Sequence, residues 1–154
     1  MATSGFEFAY MLDGSNATPV IRDFILSTAA AHKIGDLMVL ETDGDLTQAA
    51  ATATTVTAVC METVAAAAIS AGVTKAKCAI ITRNQVWRCS TDDPATTWVI
   101  GYTKAGDIID CRTLDHDNVD HGPCCCVDNT ALLDDGGMQV NYVNFLLTTF
   151  GNAA

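Results

Sequence analysis

The sequence predicts an all-β domain, a small barrel or sandwich, on three observations. Short runs rich in Val, Ile, Thr and aromatic residues recur along the chain, broken by Gly, Asp and Asn. Helical periodicity is confined to one Ala-rich stretch. Hydrophobic residues make up 49% of the 154 positions against 17% charged, enough for a single buried core and incompatible with disorder.

Taken in order, "GFEFAYML" (5–12) places Phe6, Phe8 and Tyr10 on one parity before "DGSNATP" breaks the chain and "VIRDFIL" resumes it. Rigid aromatic anchors suit an interface, and an extended arm can add a strand to a neighbour's sheet; an ordinary internal edge strand fits the same pattern. The reading taken is an arm with the first strand over 1–30, followed by one β-rich domain over 31–154. "GDLMVLE" (35–41), "TDGD" (42–45) and "LTQAA" (46–50) predict a hairpin whose Asp43-Gly44 supplies positive φ. "TVTAVC" (55–60) is the next strand. "ETVAAAAISAG" (62–72) is the one short helix, with Glu62 in its first turn and Gly72 as its stop. "AKCAIITRNQVWRCS" (76–90) holds two strands around Arg83-Asn84, and "TTWVIGYT" (96–103) and "GDIIDC" (106–111) one each. After the turn at Gly136-Gly137, Met138, Val140 and Tyr142 alternate on one parity and Val143, Phe145 and Leu147 on the other. A bulge or a change of packing surface is expected near residues 142–144.

Eighteen acidic against eight basic residues give a net charge of −10, which excludes a surface that tracks a phosphate backbone. The cations are scattered, so neither nucleic acid nor a membrane surface is an expected partner. The N-terminus lacks a basic region leading into an apolar run, so export is not expected, and the longest apolar stretch, 64–73, is too short to cross a bilayer. Seven cysteines cannot all pair within the chain and are read as reduced thiols, with Cys60, Cys78, Cys89 and Cys111 as small buried hydrophobes.

"LDHDNVDHGPCCCVDNT" (114–130) has the residue types of a chemical site. Zinc could be proposed on His116, His121, Cys124 and Cys126, but adjacent cysteines in a strand face opposite ways and no CxxC knuckle exists. Calcium could be proposed on Asp115, Asp117, Asn118 and Asp120, but Asp120 stands where an EF-hand loop needs Gly and Cys126 where it needs Glu. Cys124 beside His121 has no recognisable third orienting group, and the common nucleotide, hydrolase and metalloprotease motifs are missing. The segment is read as an acidic loop entering a strand, with no catalytic residue and no cofactor.

Residues 34–65, "IGDLMVLETDGDLTQAAATATTVTAVCMETVA", resemble the decoration (cement) proteins of tailed-phage capsids. The resemblance lies in a Gly35-Asp36 strand, a tight turn at Asp43-Gly44, a strand ending in small residues at Ala50, and Val56 to Ala68; Gly106-Asp107-Ile108-Ile109-Asp110 is similar too. Thr57-Ala58-Val59 departs from the Gly often found before that strand, and the 115–126 loop matches nothing in the family. The resemblance implies a β-tulip-like domain that forms homotrimers on the outer surface of an icosahedral shell. Its partner is then the major capsid protein, it is assembled in the host cytoplasm, and it stabilises the head by bridging capsomers. Phe6, Phe8, Tyr10 and Met11, supported by Ile21 and Phe24, are the expected capsid or oligomer contacts. A head-fibre base or tail-tube subunit is the rival of the same class. A small metal-binding or redox module using Asp115, His116, Asp117, Asp120, His121 and Cys124 is the rival of a different class.

Overall fold

The computed structural model describes residues 5–27, 30–50, 53, 55–91, 108–114, 123–133, 138–145 and 148–149. The strands are β1 (Glu7–Met11), β2 (Ile21–Ile25), β3 (Leu37–Leu40), β4 (Leu46–Gln48), β5 (Ala58–Cys60), β6 (Lys75–Ile80), β7 (Gln85–Ser90), β8 (Ile108–Asp110), β9 (Thr113–Leu114), β10 (Cys124–Leu133) and β11 (Gln139–Phe145). They form two antiparallel sheets, ordered β1-β7-β11-β10 and β2-β6-β5-β3-β4, and a small β8-β9 ribbon. The fold is all-β as predicted, a two-sheet arrangement whose barrel does not close.

Alternation decides what each face buries. From β5 and β6, Val59 and Ala79 turn inward, joining Phe6, Trp87, Val143, Phe145 and Cys124 in the core. Their neighbours Ala58, Cys60, Ala76 and Cys78 turn to the other side, where Leu26, Met38, Leu46 and Ile69 complete a second cluster. The middle of the five-stranded sheet, around β5, is therefore buried on both faces, which accounts for its run of small apolar residues in place of strict alternation with polar ones.

The β3-β4 hairpin forms as predicted. Glu41 and Asp45 close it, Gly44 N–H donates to Glu41 O, and Gly44 takes φ +91° while Asp43 keeps negative φ. Asp43 contributes its carboxylate instead, accepting from Asp45 N–H at 3.0 Å. The helix expected over 62–72 reduces to one 3-10 turn, Ala66–Ala68, with Ala65 and Ile69 both extended. Tertiary bonds take its ends: Val64 and His32 exchange backbone hydrogen bonds, and Gly72 N–H donates to Leu26 O. An isolated eleven-residue helix is too marginal to resist them.

The disruption expected near 142–144 falls at that level of the sheet but on the partner strand. Residues 140–144 pair in unbroken register with β7, whereas the register to β10 shifts between Cys126 and Asp128, opposite Val143 and Tyr142. The extra residue is thus in β10. The predicted strand at 96–103 and the turn at 136–137 lie outside the described residues.

The N-terminal segment is not a detached arm. β1 pairs with β7, and β2 pairs with β6 along its whole length, so both belong to the domain proper. Phe6 is buried against the Phe145 ring at 5.5 Å, and Phe8 meets Trp87 edge-on at 5.6 Å. Burying the Phe6 ring stabilises the fold by about 1.5–3 kcal/mol, and half-buried Phe8 adds a part of that.

Candidate functional site

Among the described residues β1 and β2 are edge strands, one for each sheet, and the 12–20 loop joins them around the β6-β7 arch. Two backbone bonds pin that loop: Leu12 N–H donates to Asn84 O at 2.7 Å, and Ile80 N–H donates to Val20 O at 2.8 Å. Between them runs an open groove of about 640 Å³, lined by Met11, Leu12, Val20, Ile80, Arg83 and Asn84 among others.

Two buried amides hold the arch that forms its floor. Gln85 Oε1 accepts from Thr82 N–H and from Trp87 Nε1–H, both at 3.0 Å, while Gln85 Nε2 donates to Ile80 O. Asn144 Nδ2 donates to Gln85 O and to Arg83 O from below. With the backbone of the turn satisfied by side chains that cannot leave the core, the groove is preformed.

Its rim is apolar and open. Leu12 is 50% exposed and Val20 49% on the groove lining, and Ile21 at 48% and Tyr10 at 43% are exposed on the adjoining strands. Tyr10 leans on Tyr142 at 6.3 Å between ring centroids. The charges nearby are in water: Glu7 with Arg88 at 3.4 Å and Asp23 with Lys77 at 3.2 Å, pairs worth little to stability. Within the loop, hydrogen bonds from Ser15, chiefly its backbone N–H at 2.9 Å, hold the Asp13 carboxyl below the usual carboxylate range.

Of the six expected contact residues, Met11 lines the groove, and Tyr10 and Ile21 are exposed on the β1 and β2 strands beside it. Phe6 and Met11 are buried, and Phe8 and Phe24 are half-buried against the two core clusters, so these four support the edge from inside. Residue-by-residue reading missed Leu12, Val20 and Arg83. The signal available for the first two was their position, flanking "DGSNATP" where the chain passes between strands.

Asp115, His116, Asp117, Asp120 and His121 lie outside the described residues; Cys124 is buried in the core. Among the described residues, no three His, Cys, Asp or Glu side chains converge as a metal centre needs, and no helix is long and apolar enough to cross a membrane. Cys60 and Cys78 are fully buried and directly opposed on β5 and β6, a pairing that needs the strand register to be seen. Burial pushes the Cys125 thiol up. No protein-family model matches the chain, and no curated protein matches it.

Proposed function

We propose that this chain is a structural virion protein that docks as homotrimers on the outer surface of an icosahedral phage capsid and stabilises the shell by bridging capsomers. The observation that carries the reading is the pair of edge strands flanking a rigid groove, with Leu12 and Val20 exposed on its lining and Tyr10 and Ile21 exposed on the strands beside it. Large apolar groups gathered at a sheet edge are what an interface with another chain uses, by strand addition and by filling pockets. The net charge of −10 supports an exterior position, since packaged DNA repels it.

The action is mechanical and involves no substrate. Each docked trimer adds interface that must be broken before the shell ruptures; at about 1,600 Å² for a standard contact, many copies make modest individual energies decisive. The test is the mass of the purified protein in solution by light scattering, followed by co-sedimentation with empty capsids. A trimer, or a monomer that becomes trimeric on shells, is expected. A hexameric ring would favour a tube subunit, and a monomer that leaves capsids bare would overturn the proposal.

A further inference from the structure

Cys60 and Cys78 face each other across β5 and β6. Their neighbours fix the kind of pair. Met61 N–H donates to Lys77 O and Ile81 N–H to Thr57 O, so 61/77 and 57/81 are hydrogen-bonded positions, and with strict alternation 60/78 is a non-hydrogen-bonded one. At such positions the Cα atoms stand about 4.5 Å apart and side chains are closest, within the range of about 4.4–6.8 Å that a disulfide spans. Both thiols project to the same face, into the cluster with Leu26, Met38 and Ile69.

The two thiols also differ. Cys78 shares its hydrogen bond with Cys60 and is buried, and both effects push its thiol up. The same hydrogen bond, aided by the backbone at Glu62, holds Cys60 below the usual thiol range despite its burial. Cys60 Sγ donates to Glu62 O at 3.0 Å, at the root of the 62–74 segment, so an oxidant entering there meets Cys60 first and Cys78 acts as the resolving thiol.

Above the pair lies the 62–74 segment. Its regular structure is a single 3-10 turn, residues 65–68 are exposed, and Ile69 is its one buried hydrophobic side chain. Half-buried Val64 and backbone bonds to His32 and Leu26 tether its ends, and a cover with one buried and one half-buried apolar side chain opens locally at less than the cost of global unfolding.

We propose that Cys60 and Cys78 form a reversible dithiol/disulfide couple, oxidised by a small disulfide that enters when the 62–74 cover opens. The Cys60 thiolate attacks one sulfur of the disulfide RSSR, giving a mixed disulfide Cys60–S–S–R and one RS⁻, which takes up the proton lost by Cys60. Cys78 then gives up its proton and attacks the Cys60 sulfur. The Cys60–SR bond breaks and a second RSH leaves. Two protein thiols are oxidised by two electrons and one RSSR becomes two RSH. Because the strand spacing lies at the short end of the disulfide range, reducing thiols reopen the bond readily.

The experiment exposes the folded full chain to oxidised glutathione, quenches it with N-ethylmaleimide in acid and maps the cross-links by mass spectrometry after digestion. The expected product is a Cys60–Cys78 link that dithiothreitol removes, with the urea midpoint about 1 M higher while the link is closed. Cross-links confined to other cysteines, glutathione retained on Cys60 of the unaltered chain, or linkage only after unfolding would overturn the couple. Cys78→Ala is expected to trap glutathione on Cys60, whereas Cys60→Ala leaves Cys78 unmodified; the reverse pattern refutes the assigned roles. Ile69→Ala is expected to speed closure several-fold without changing the product, and an unchanged rate refutes the cover.

Discussion

Arg112 Nη1 stands 2.5 Å from Asp36 Oδ1, tying the β8-β9 turn to the start of β3 across 76 residues of sequence. The Asp36 side chain is almost wholly buried, and its other oxygen accepts from Lys33 N–H and Gln48 Nε2. The same guanidinium nitrogen donates to Ile34 O. Every part of the carboxylate is thus partnered, the condition under which a buried charge is tolerated. Arg112→Met is expected to cost about 3 kcal/mol in urea unfolding, the low end for a broken buried pair because Arg112 keeps some contact with water. Adding Asp36→Asn recovers part of that loss. A single-variant cost below about 1 kcal/mol would show the pair to be an ordinary surface one.

A second prediction separates two glycines with nearly the same backbone. Gly5 and Gly14 have φ of +77° and +75°, but a Cβ on Gly5 would sit 2.6 Å from Gly35 O, whereas one on Gly14 meets nothing within 4 Å. Gly14→Ala therefore carries only the left-handed backbone cost of about 1–2 kcal/mol. Gly5→Ala must also push β1 away from Gly35, breaking the Phe6 N–H to Gly35 O bond of 2.9 Å, and is expected to cost at least about 1 kcal/mol more. Equal thermal shifts in the two variants would refute the close approach.

The Gly35-Asp36 strand, the Gly44 hairpin and the strands on either side of Arg83-Asn84 were legible in the sequence because local turn chemistry and alternation dictate them. What was not legible depended on register. The aromatic parity of Phe6, Phe8 and Tyr10 describes an arm and a built-in edge strand equally well, and only pairing with β7 and the Phe145 and Trp87 contacts separates them. The helix over 62–72 failed for a similar reason: the His32–Val64 exchange is a long-range competitor that local propensity cannot register. The two edge strands were legible only in part. Tyr10 and Ile21 stood out, but the groove between Leu12 and Val20 exists only because β6 and β7 lie in different sheets.

Asn141 is a fully buried polar group in β11, and neither its Nδ2 nor its Oδ1 has a hydrogen-bond partner among the described residues. An unmet buried amide costs about 1–3 kcal/mol, so Asn141→Leu, close in volume and apolar, is expected to raise stability by about 1 kcal/mol or more in urea unfolding. A destabilised variant would show that the amide is satisfied in solution.

Acid should loosen the 12–20 loop in a definable window. The folded Asp13 carboxyl is held below its ordinary value, so its bond to Ser15 contributes fully above that value and is lost as pH falls through the lowered one. Ser15→Ala removes the hydroxyl but keeps the larger backbone contribution, so the Asp13 midpoint, followed by NMR, is expected to rise only part of the way. A full return to the unperturbed carboxylate value would show that the hydroxyl, not the backbone, dominates.

The docking proposal predicts opposite behaviour for two kinds of variant. Leu12 and Val20 are about half exposed, so Leu12→Ser with Val20→Ser should leave the unfolding midpoint close to that of the parent, since surface changes usually stay within about 0.5 kcal/mol. Capsid occupancy at fixed protein concentration is nonetheless expected to fall at least tenfold, because each lost apolar contact in a desolvated interface is worth about 1 kcal/mol or more. Phe6→Ala opens a cavity beside Phe145 and costs about 3–5 kcal/mol. A joint replacement of Phe6, Phe8 and Tyr10 would therefore lose binding through unfolding and says nothing about docking. The informative comparison is Leu12→Ser with Val20→Ser against Tyr10→Ala, both folded, in the same co-sedimentation assay. If both variants decorate shells as the parent does, the β1-β2 edge is not the contact surface.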